Sequence, residues 1–206
     1  MILKYVTPKL EISDSIAVVG SSSNLIGKGY ASIIDSCDEV MRYNRAPVKG
    51  FEKYVGHKST IRFTNHHVFG GSVPDKRFTK KGQPPNFVKL LKNQKIIIGN
   101  GNADRRWTNR DKKIDSSSTA YYIESELRRM LKENGKMSKA PSVGLIGIYM
   151  LIQNGIIPMV FGFGVGEPQM THYWEKRDPR VHHHEFNEER KILKRWHQKG
   201  RIILHL

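Results

Sequence analysis

The sequence predicts an α/β fold, a sandwich of helices around a mostly parallel sheet. Two observations carry this. Apolar runs of strand length recur at 14–20, 39–43, 59–64, 95–99, 157–163 and 201–206, and segments with apolar residues at helical spacing lie between several of them. Strands alternating with helices are what crossover connections over a parallel sheet require. A chain of 206 residues with no internal repeat favours one domain, 1–206, with a well-buried core.

Taken in order, DSIAVVG (14–20) is a short apolar run ending in small residues, as a buried strand feeding a loop would be. Gly29–Ser36 fits one or two helical turns, Glu39–Tyr43 a second strand, and STIRFT (59–64) alternates as a third. Residues 69–93, rich in Lys, Gly and Pro, read as a basic irregular insertion with a short helix near 87–91. KIIIG (95–99) is again a strand. Ser117–Asn134 spaces Ala120, Tyr121, Ile123, Leu127, Met130 and Leu131 as one amphipathic helix. Val143–Ile152 reads as an apolar helix and Ile157–Phe163 as a strand. Asn187–Gln198 reads as a polar helix stopped by Gly200, and 201–206 as a closing strand.

Composition narrows the partners. Hydrophobic residues at 38% and charged ones at 26% are ordinary for a globular chain. The 35 Lys and Arg against 19 Asp and Glu leave a formal charge of +16, which attracts anions: nucleic acid, an anionic membrane surface, or nucleotide and acidic-sugar substrates. Charge does not choose among them. Cys37 is the single cysteine, so no intrachain disulfide forms, which suits a reducing compartment. The apolar run within MILKYVTPKLEI is too short for a secretory signal. Residues 140–166 carry no charge, but Gln153, Asn154, Gly155 and Pro158 break them into helix, turn and strand rather than a membrane span. The expectation is a soluble or peripheral protein without a transmembrane segment.

Three places suit chemistry. GSSSNLIGKGY (20–30) follows a strand with small residues that let backbone amides approach a ligand, though Lys28 lacks the spacing of a P-loop. Ala140–Gly144 opens the apolar helix with Pro141 and a capping Ser142, which serves either as a plain cap or as an anion site. His172-Tyr173-Trp174-Glu175, followed by His182–His184 and Glu188-Glu189, supplies imidazole bases with carboxylates nearby. Consecutive histidines converge poorly on one ion, and no zinc-type spacing accompanies them or His66-His67, so no metal site is expected. Lys76–Lys81 and Arg105-Arg106-Trp107 mix cations with aromatics as nucleic-acid binders do, without a recognised motif around them.

Residues 16–63, IAVVGSSSNLIGKGYASIIDSCDEVMRYNRAPVKGFEKYVGHKSTIRF, resemble the large sialylmotif of the sialyltransferases. APSVGLIGIYMLIQNGIIPMVFGFG (140–164) resembles the small motif, HYWE (172–175) motif III, and HEFNEE (184–189) the very small motif. This resemblance implies a single GT-A-like (variant) catalytic domain with a Rossmann-type, mostly parallel sheet flanked by helices, and an inverting, metal-independent enzyme. The enzyme would move sialic acid from CMP-sialic acid to a glycan hydroxyl, of galactose type. CMP-3-deoxy-manno-octulosonic acid is the alternative donor, and a non-catalytic basic module binding nucleic acid or glycan the alternative class. The implied donor contacts are Ser22, Ser23, Asn24, Asn44, Ser142, Val143, Gly144, Gly162 and Gly164. Ser21 would face the acceptor, His172 the phosphate, and His184 would be the base, supported by Glu189. The implied partners are the CMP-sugar, a glycan or glycolipid acceptor and an anionic membrane touched peripherally, with no cofactor and no specific nucleic acid. Family members from animals join the large and small motifs by a disulfide, where this chain has Ile16 and about Asn154, so a viral or bacterial, cytoplasmic setting is expected.

Overall fold

A computed structural model describes residues 6–7, 10–65, 93–99, 120–123, 125–165, 172–174 and 185–206. The basic segment expected at 69–93 lies outside them, save for Asn93.

An eight-stranded sheet organises the chain. Its strands are β1 (Val6–Thr7), β2 (Ile16–Val19), β3 (Glu39–Tyr43), β4 (Ile61–Asn65), β5 (Lys95–Gly99), β6 (Ala120–Ile123), β7 (Met159–Phe161) and β8 (Ile203–Leu204). The spatial order is β1-β6-β5-β4-β3-β2-β7-β8, and every pairing is parallel except β1 with β6. Helices α1 (Ala31–Ser36), α2 (Glu52–Val55), α3 (Ser125–Asn134), α4 (Val143–Gln153) and α5 (Phe186–Gln198) complete the described elements.

Alternation along each strand sends side chains to two apolar layers. Val18, Met41, Tyr43, Ile61, Phe63 and Ile97 face α3, α4 and α5. Ala17, Val19, Val40 and Phe161 face the other side, with Ile34 of α1 and Val55 of α2. Helix α4 is apolar on nearly every side and almost wholly buried, as a helix pressed onto a sheet should be. Helices α3 and α5 bury one stripe each, through Leu127 and Leu131, and through Ile192, Leu193 and Trp196.

The sequence places β3 and β5 at their observed bounds, and most other boundaries within two residues. The helix expected over 117–134 is a correction. Residues 120–123 form β6, and the helix starts at Ser125. Tyr121, Tyr122 and Ile123 favour extended backbone, and pairing on both sides, Ile97↔Tyr121 with β5 and Val6↔Ile123 with β1, outweighs the helical spacing. Strand β1 and helix α2 were not expected. Each is one turn or one ladder step long, too short to carry a period.

Candidate active site

Strand order reverses at β2. The chain builds β3 to β6 outward on one side and β7 and β8 on the other. In open parallel sheets the crevice at such a switch, beyond the carboxyl ends of the strands, is where ligands bind. The residues expected to hold the donor gather there. Gly20–Asn24 follow β2, Asn44 follows β3, and Gly162 and Gly164 follow β7.

The turn after β2 is locked onto the turn after β7. Gly20 N–H donates to the Phe161 carbonyl at 2.7 Å and Ser22 N–H to the Gly162 carbonyl at 2.9 Å. Gly20 must be glycine, because a Cβ there would lie 2.2 Å from the Gly162 carbonyl oxygen. Gly162 takes φ +71°, and its Cβ would sit 2.6 Å from Leu25 Cδ1. Ser22 is buried, and its hydroxyl accepts from Asn24 N–H at 3.3 Å, starting a short 3-10 turn over Ser23–Leu25. Asn24 Oδ1 is sheltered from solvent and has no hydrogen-bond partner among the described residues. An amide oxygen in that state costs free energy unless a donor reaches it.

His172 belongs to this loop. It pairs with Ser22 in an isolated antiparallel bridge, and Tyr173 N–H donates to the Ser21 carbonyl at 3.0 Å. The imidazole stacks on Trp174 with centroids 4.5 Å apart and planes 5° apart, which fixes the ring. Backbone pairing thus places Ser21, Ser22 and His172 side by side across 150 residues of chain.

Asn44 ends β3 in the left-handed region at φ +44°, a conformation that asparagine tolerates better than most residues. Its Oδ1 accepts from Asn65 N–H at 3.1 Å and the Thr64 hydroxyl at 3.4 Å. The side chain therefore ties the end of β3 to the end of β4, and among the described residues its Nδ2 is the donor left over.

The start of α4 forms the crevice's third wall. Ser142 caps it, with Oγ accepting from Leu145 N–H at 3.2 Å. Glu189 of α5, only 4% exposed, takes the Ser142 N–H on one carboxylate oxygen at 2.7 Å and the Ser142 O–H on the other at 2.6 Å. The Ser142 hydroxyl is thereby engaged inside the protein. The first-turn amides of Val143 and Gly144 have no intrahelical partner, as at any helix start, and they carry the positive end of the helix dipole. Tyr43 holds this turn from below, its hydroxyl donating to the Gly144 carbonyl at 3.0 Å. Complete burial holds the Tyr43 phenol well above its ordinary range, so it stays a donor. A Cβ on Gly144 would meet the Phe163 ring at 2.8 Å, so only glycine lets the helix start press against the Gly162–Gly164 turn.

A second carboxylate anchors the same region. Glu185, next to His184 in sequence, accepts from Ser138 N–H at 3.1 Å, the Ser138 hydroxyl at 2.5 Å and Lys139 N–H at 3.2 Å. The Ser138 hydroxyl and these amides hold its carboxyl below the usual range. His184 itself lies outside the described residues, as do His182, His183 and Glu175.

Sequence reasoning missed the residues that hold the Asn44 loop. Arg62 and Arg42 are nearly inaccessible, at 3% and 1% exposure. Arg62 donates to the carbonyls of Ala46 at 3.0 Å and Asn44 at 3.4 Å. Arg42 donates to those of Val55 at 2.7 Å and of Lys58 at 2.7 and 3.0 Å. Tyr173 reaches the Pro47 carbonyl with its hydroxyl. Burial pulls both guanidinium groups down to about 10 and pushes the Tyr173 phenol up to about 12. The available signal was an arginine beside large apolar residues in a strand-length segment, in EVMRY and IRFTN. Such a residue is buried only if carbonyls satisfy it.

Among the described residues no group of three His, Cys, Asp or Glu side chains is arranged to hold a metal ion. None of their helices is long and apolar enough to cross a membrane.

The fold and its crevice define a parallel α/β protein with a ligand site at the strand-order switch, and comparison with known proteins gives the family. The model of glycosyltransferase family 29 (sialyltransferase) matches residues 7–201. The chain belongs to that family. It is 30% identical over 174 residues to the mouse CMP-N-acetylneuraminate-beta-galactosamide-alpha-2,3-sialyltransferase 2, covering 77% of this chain and 46% of that protein. The chicken sialyltransferase 1 of the same description is 29% identical over 181 residues, covering 77% and 47%. The chain thus spans about half the length of these curated relatives. A crystal structure of a mammalian sialyltransferase has the same fold, with TM-score 0.69, 20% identity and coverage of 92% of this chain and 68% of that one. The sialyltransferase CstII from Campylobacter jejuni, in complex with the substrate analogue cytidine-5'-monophosphate, superposes with TM-score 0.58 at 15% identity, covering 95% and 80%.

Proposed function

We propose that the chain is an inverting, metal-independent sialyltransferase that moves sialic acid from CMP-sialic acid to a glycan hydroxyl, of galactose type. The reading rests on membership of family 29. The observation that carries it is the convergence, at the strand-order switch, of two glycine turns, the Asn44 corner, a helix start with open amides and His172. The names of the relatives, which specify CMP-N-acetylneuraminate and beta-galactosamide, support that donor and acceptor class.

In this reading the Val143 and Gly144 amides bind the donor's phosphate or carboxylate. Gly162 and Gly164 leave room for the cytosine, and Ser23, Asn24 and Asn44 take the ribose and phosphate. The unpaired Oδ1 of Asn24 suits a ribose hydroxyl, which can donate to it. His184 removes the acceptor hydroxyl proton while that oxygen bonds to the anomeric carbon. The bond from that carbon to the phosphate oxygen breaks, and CMP leaves with the electron pair. One displacement inverts the centre. The leaving monophosphate gains charge that His172 and the α4 start stabilise, a role that elsewhere falls to a metal. Glu189 acts by fixing Ser142. We assign the whole, 1–206, to one GT-A-like variant domain, and the excess positive charge to drawing in the acidic donor and, peripherally, an anionic membrane. Cys37, free and buried, suits a reducing compartment.

Calorimetric titration tests the reading. CMP should bind with 1:1 stoichiometry while UDP and GDP bind far more weakly, and transfer from CMP-sialic acid to lactose should proceed in chelator. His184→Ala should lose about 10²–10⁴ in transfer rate with CMP affinity nearly unchanged. Indifference to CMP, or full transfer by the variant, would overturn the assignment.

A further inference from the structure

At the other end of the sheet from the crevice, a cavity of about 240 Å³ opens among the C-terminal turns of α3, α4 and α5. Arg201 borders it as the chain turns towards β8. The volume exceeds the roughly 150 Å³ of an engineered cavity that accommodates benzene, so the space admits a ring and not merely a few waters. Its floor is the buried pair Tyr149 and Trp196, stacked with centroids 5.8 Å apart and planes 13° apart. Asn134 Nδ2 donates to the Tyr149 hydroxyl at 2.9 Å, which fixes the phenol and leaves the amide oxygen as an acceptor.

Arg195, Lys199 and Arg201, all exposed, border the same cavity. Among the described residues none of the three side chains meets a carboxylate. On these helices Arg129 pairs with Glu126 and Glu133, and Lys191 with Glu188, whereas the exposed Lys132 and Lys194 meet no carboxylate among the described residues. What sets Arg195, Lys199 and Arg201 apart is that they border one cavity. A helix dipole favours a cation in the last turn of α5 but does not extend to Arg201. The negative end of the α5 dipole is partly offset here by capping of its terminal carbonyls. Those of Arg195, Trp196 and His197 already accept from the amides of Lys199, Arg201 and Gly200.

We propose that this cavity binds a phosphate or sulfate ester carried on a body of about monosaccharide size. The two guanidinium forks and the ammonium take the oxyanion, and the aromatic floor and Asn134 take the ring. The site is independent of the donor crevice, and occupation of one leaves the other open. A soluble sugar ester and a phospholipid headgroup present the same chemistry, so the test has an arm for each.

The probes are glucose 6-phosphate, glucose and inorganic phosphate by calorimetry, and vesicles of phosphatidic acid or phosphatidylcholine by sedimentation. The variant is Arg195→Gln/Lys199→Gln/Arg201→Gln, three exposed positions, with its fold checked by melting temperature and CMP binding. Saturable 1:1 binding of glucose 6-phosphate, at least tenfold tighter than glucose or phosphate and at least tenfold weaker in the variant, supports the proposal. Binding to phosphatidic acid vesicles that glucose 6-phosphate displaces and the variant loses supports it with a headgroup as the source. Any of four results would overturn it: no saturation by either probe up to about 10 mM, equal binding by the variant, equal affinity for bare phosphate, or displacement of glucose 6-phosphate by CMP.

Discussion

Replacing Glu189 with glutamine would measure how firmly the start of α4 is held. The native carboxylate is buried and receives two hydrogen bonds from Ser142, at 2.7 and 2.6 Å. Glutamine keeps one oxygen and turns an amide N–H₂ towards the other Ser142 donor. Losing one charge-assisted hydrogen bond costs about 1.5–3 kcal/mol. Removing negative charge from the helix's positive end adds about 0.3–1 kcal/mol. The sum is roughly 2–4 kcal/mol, towards the lower end if the Ser142 hydroxyl rotates to accept from the new amide. For a chain of this length each kcal/mol shifts Tm by about 2–4 °C, so Tm should fall by roughly 4–16 °C in a thermal melt. A double-mutant cycle with Ser142→Ala isolates the contact, since that change alone removes a cap worth about 1 kcal/mol together with the Oγ bond. The cycle should return a coupling of at least about 1 kcal/mol. An unchanged Tm in Glu189→Gln, or strictly additive losses, would refute the bidentate clamp.

Other outcomes follow from the same structure. Gly20→Ala drives a Cβ to 2.2 Å from backbone and should abolish soluble protein, whereas Gly155→Ala, at φ +80° with open space around it, should cost only about 1–2 kcal/mol of strain. Comparable yields and melting curves for the two would contradict the close approach. Burial pushes the Cys37 thiol up, so a disulfide reagent should label it slowly in the folded protein and rapidly in urea; equal rates would count against a buried thiol. Burial, with His197 nearby, holds the His205 imidazole below its ordinary range. The folded state then takes up its proton later than the unfolded one, and the stability contribution is whole above about pH 6.5. That contribution is lost as pH falls from there through the lower folded value. His205→Phe preserves a ring against Phe161, which His205 stacks at 4.2 Å, and should flatten the melting curve between pH 7.5 and 5; superimposable profiles would remove this role.

Much of the site was legible because its residues are constrained by backbone geometry. Small residues after apolar strands, Gly20–Ser23 and Gly162–Gly164, announce tight turns where chain and ligand come close. Pro141-Ser142 before an apolar run announces a helix start. Glu189 was legible as a member of a motif, but its partner was not. That Glu189 fastens the Ser142 cap depends on α5 packing beside α4, and the two residues are far apart in sequence. Arg42 and Arg62 left a signal as arginines within strands, but their partners did not, since the carbonyls that satisfy them come from loops that local pattern does not position.

The sequence by itself determined most of the alternating strands and helices, the two glycine turns, the amphipathic character of α3 and the apolar character of α4. These follow from backbone sterics and side-chain periodicity within a few consecutive residues. Helix α5, read as polar, instead buries Ile192, Leu193 and Trp196. Only the tertiary structure decided that 120–123 is a strand, where pairing with neighbours on both sides prevails over a helical spacing. It also decided that β2 is the point where strand order reverses, and that Arg195, Lys199 and Arg201 border one cavity. Those outcomes depend on which surfaces exclude water together, a property of the whole assembly of elements that no single segment encodes.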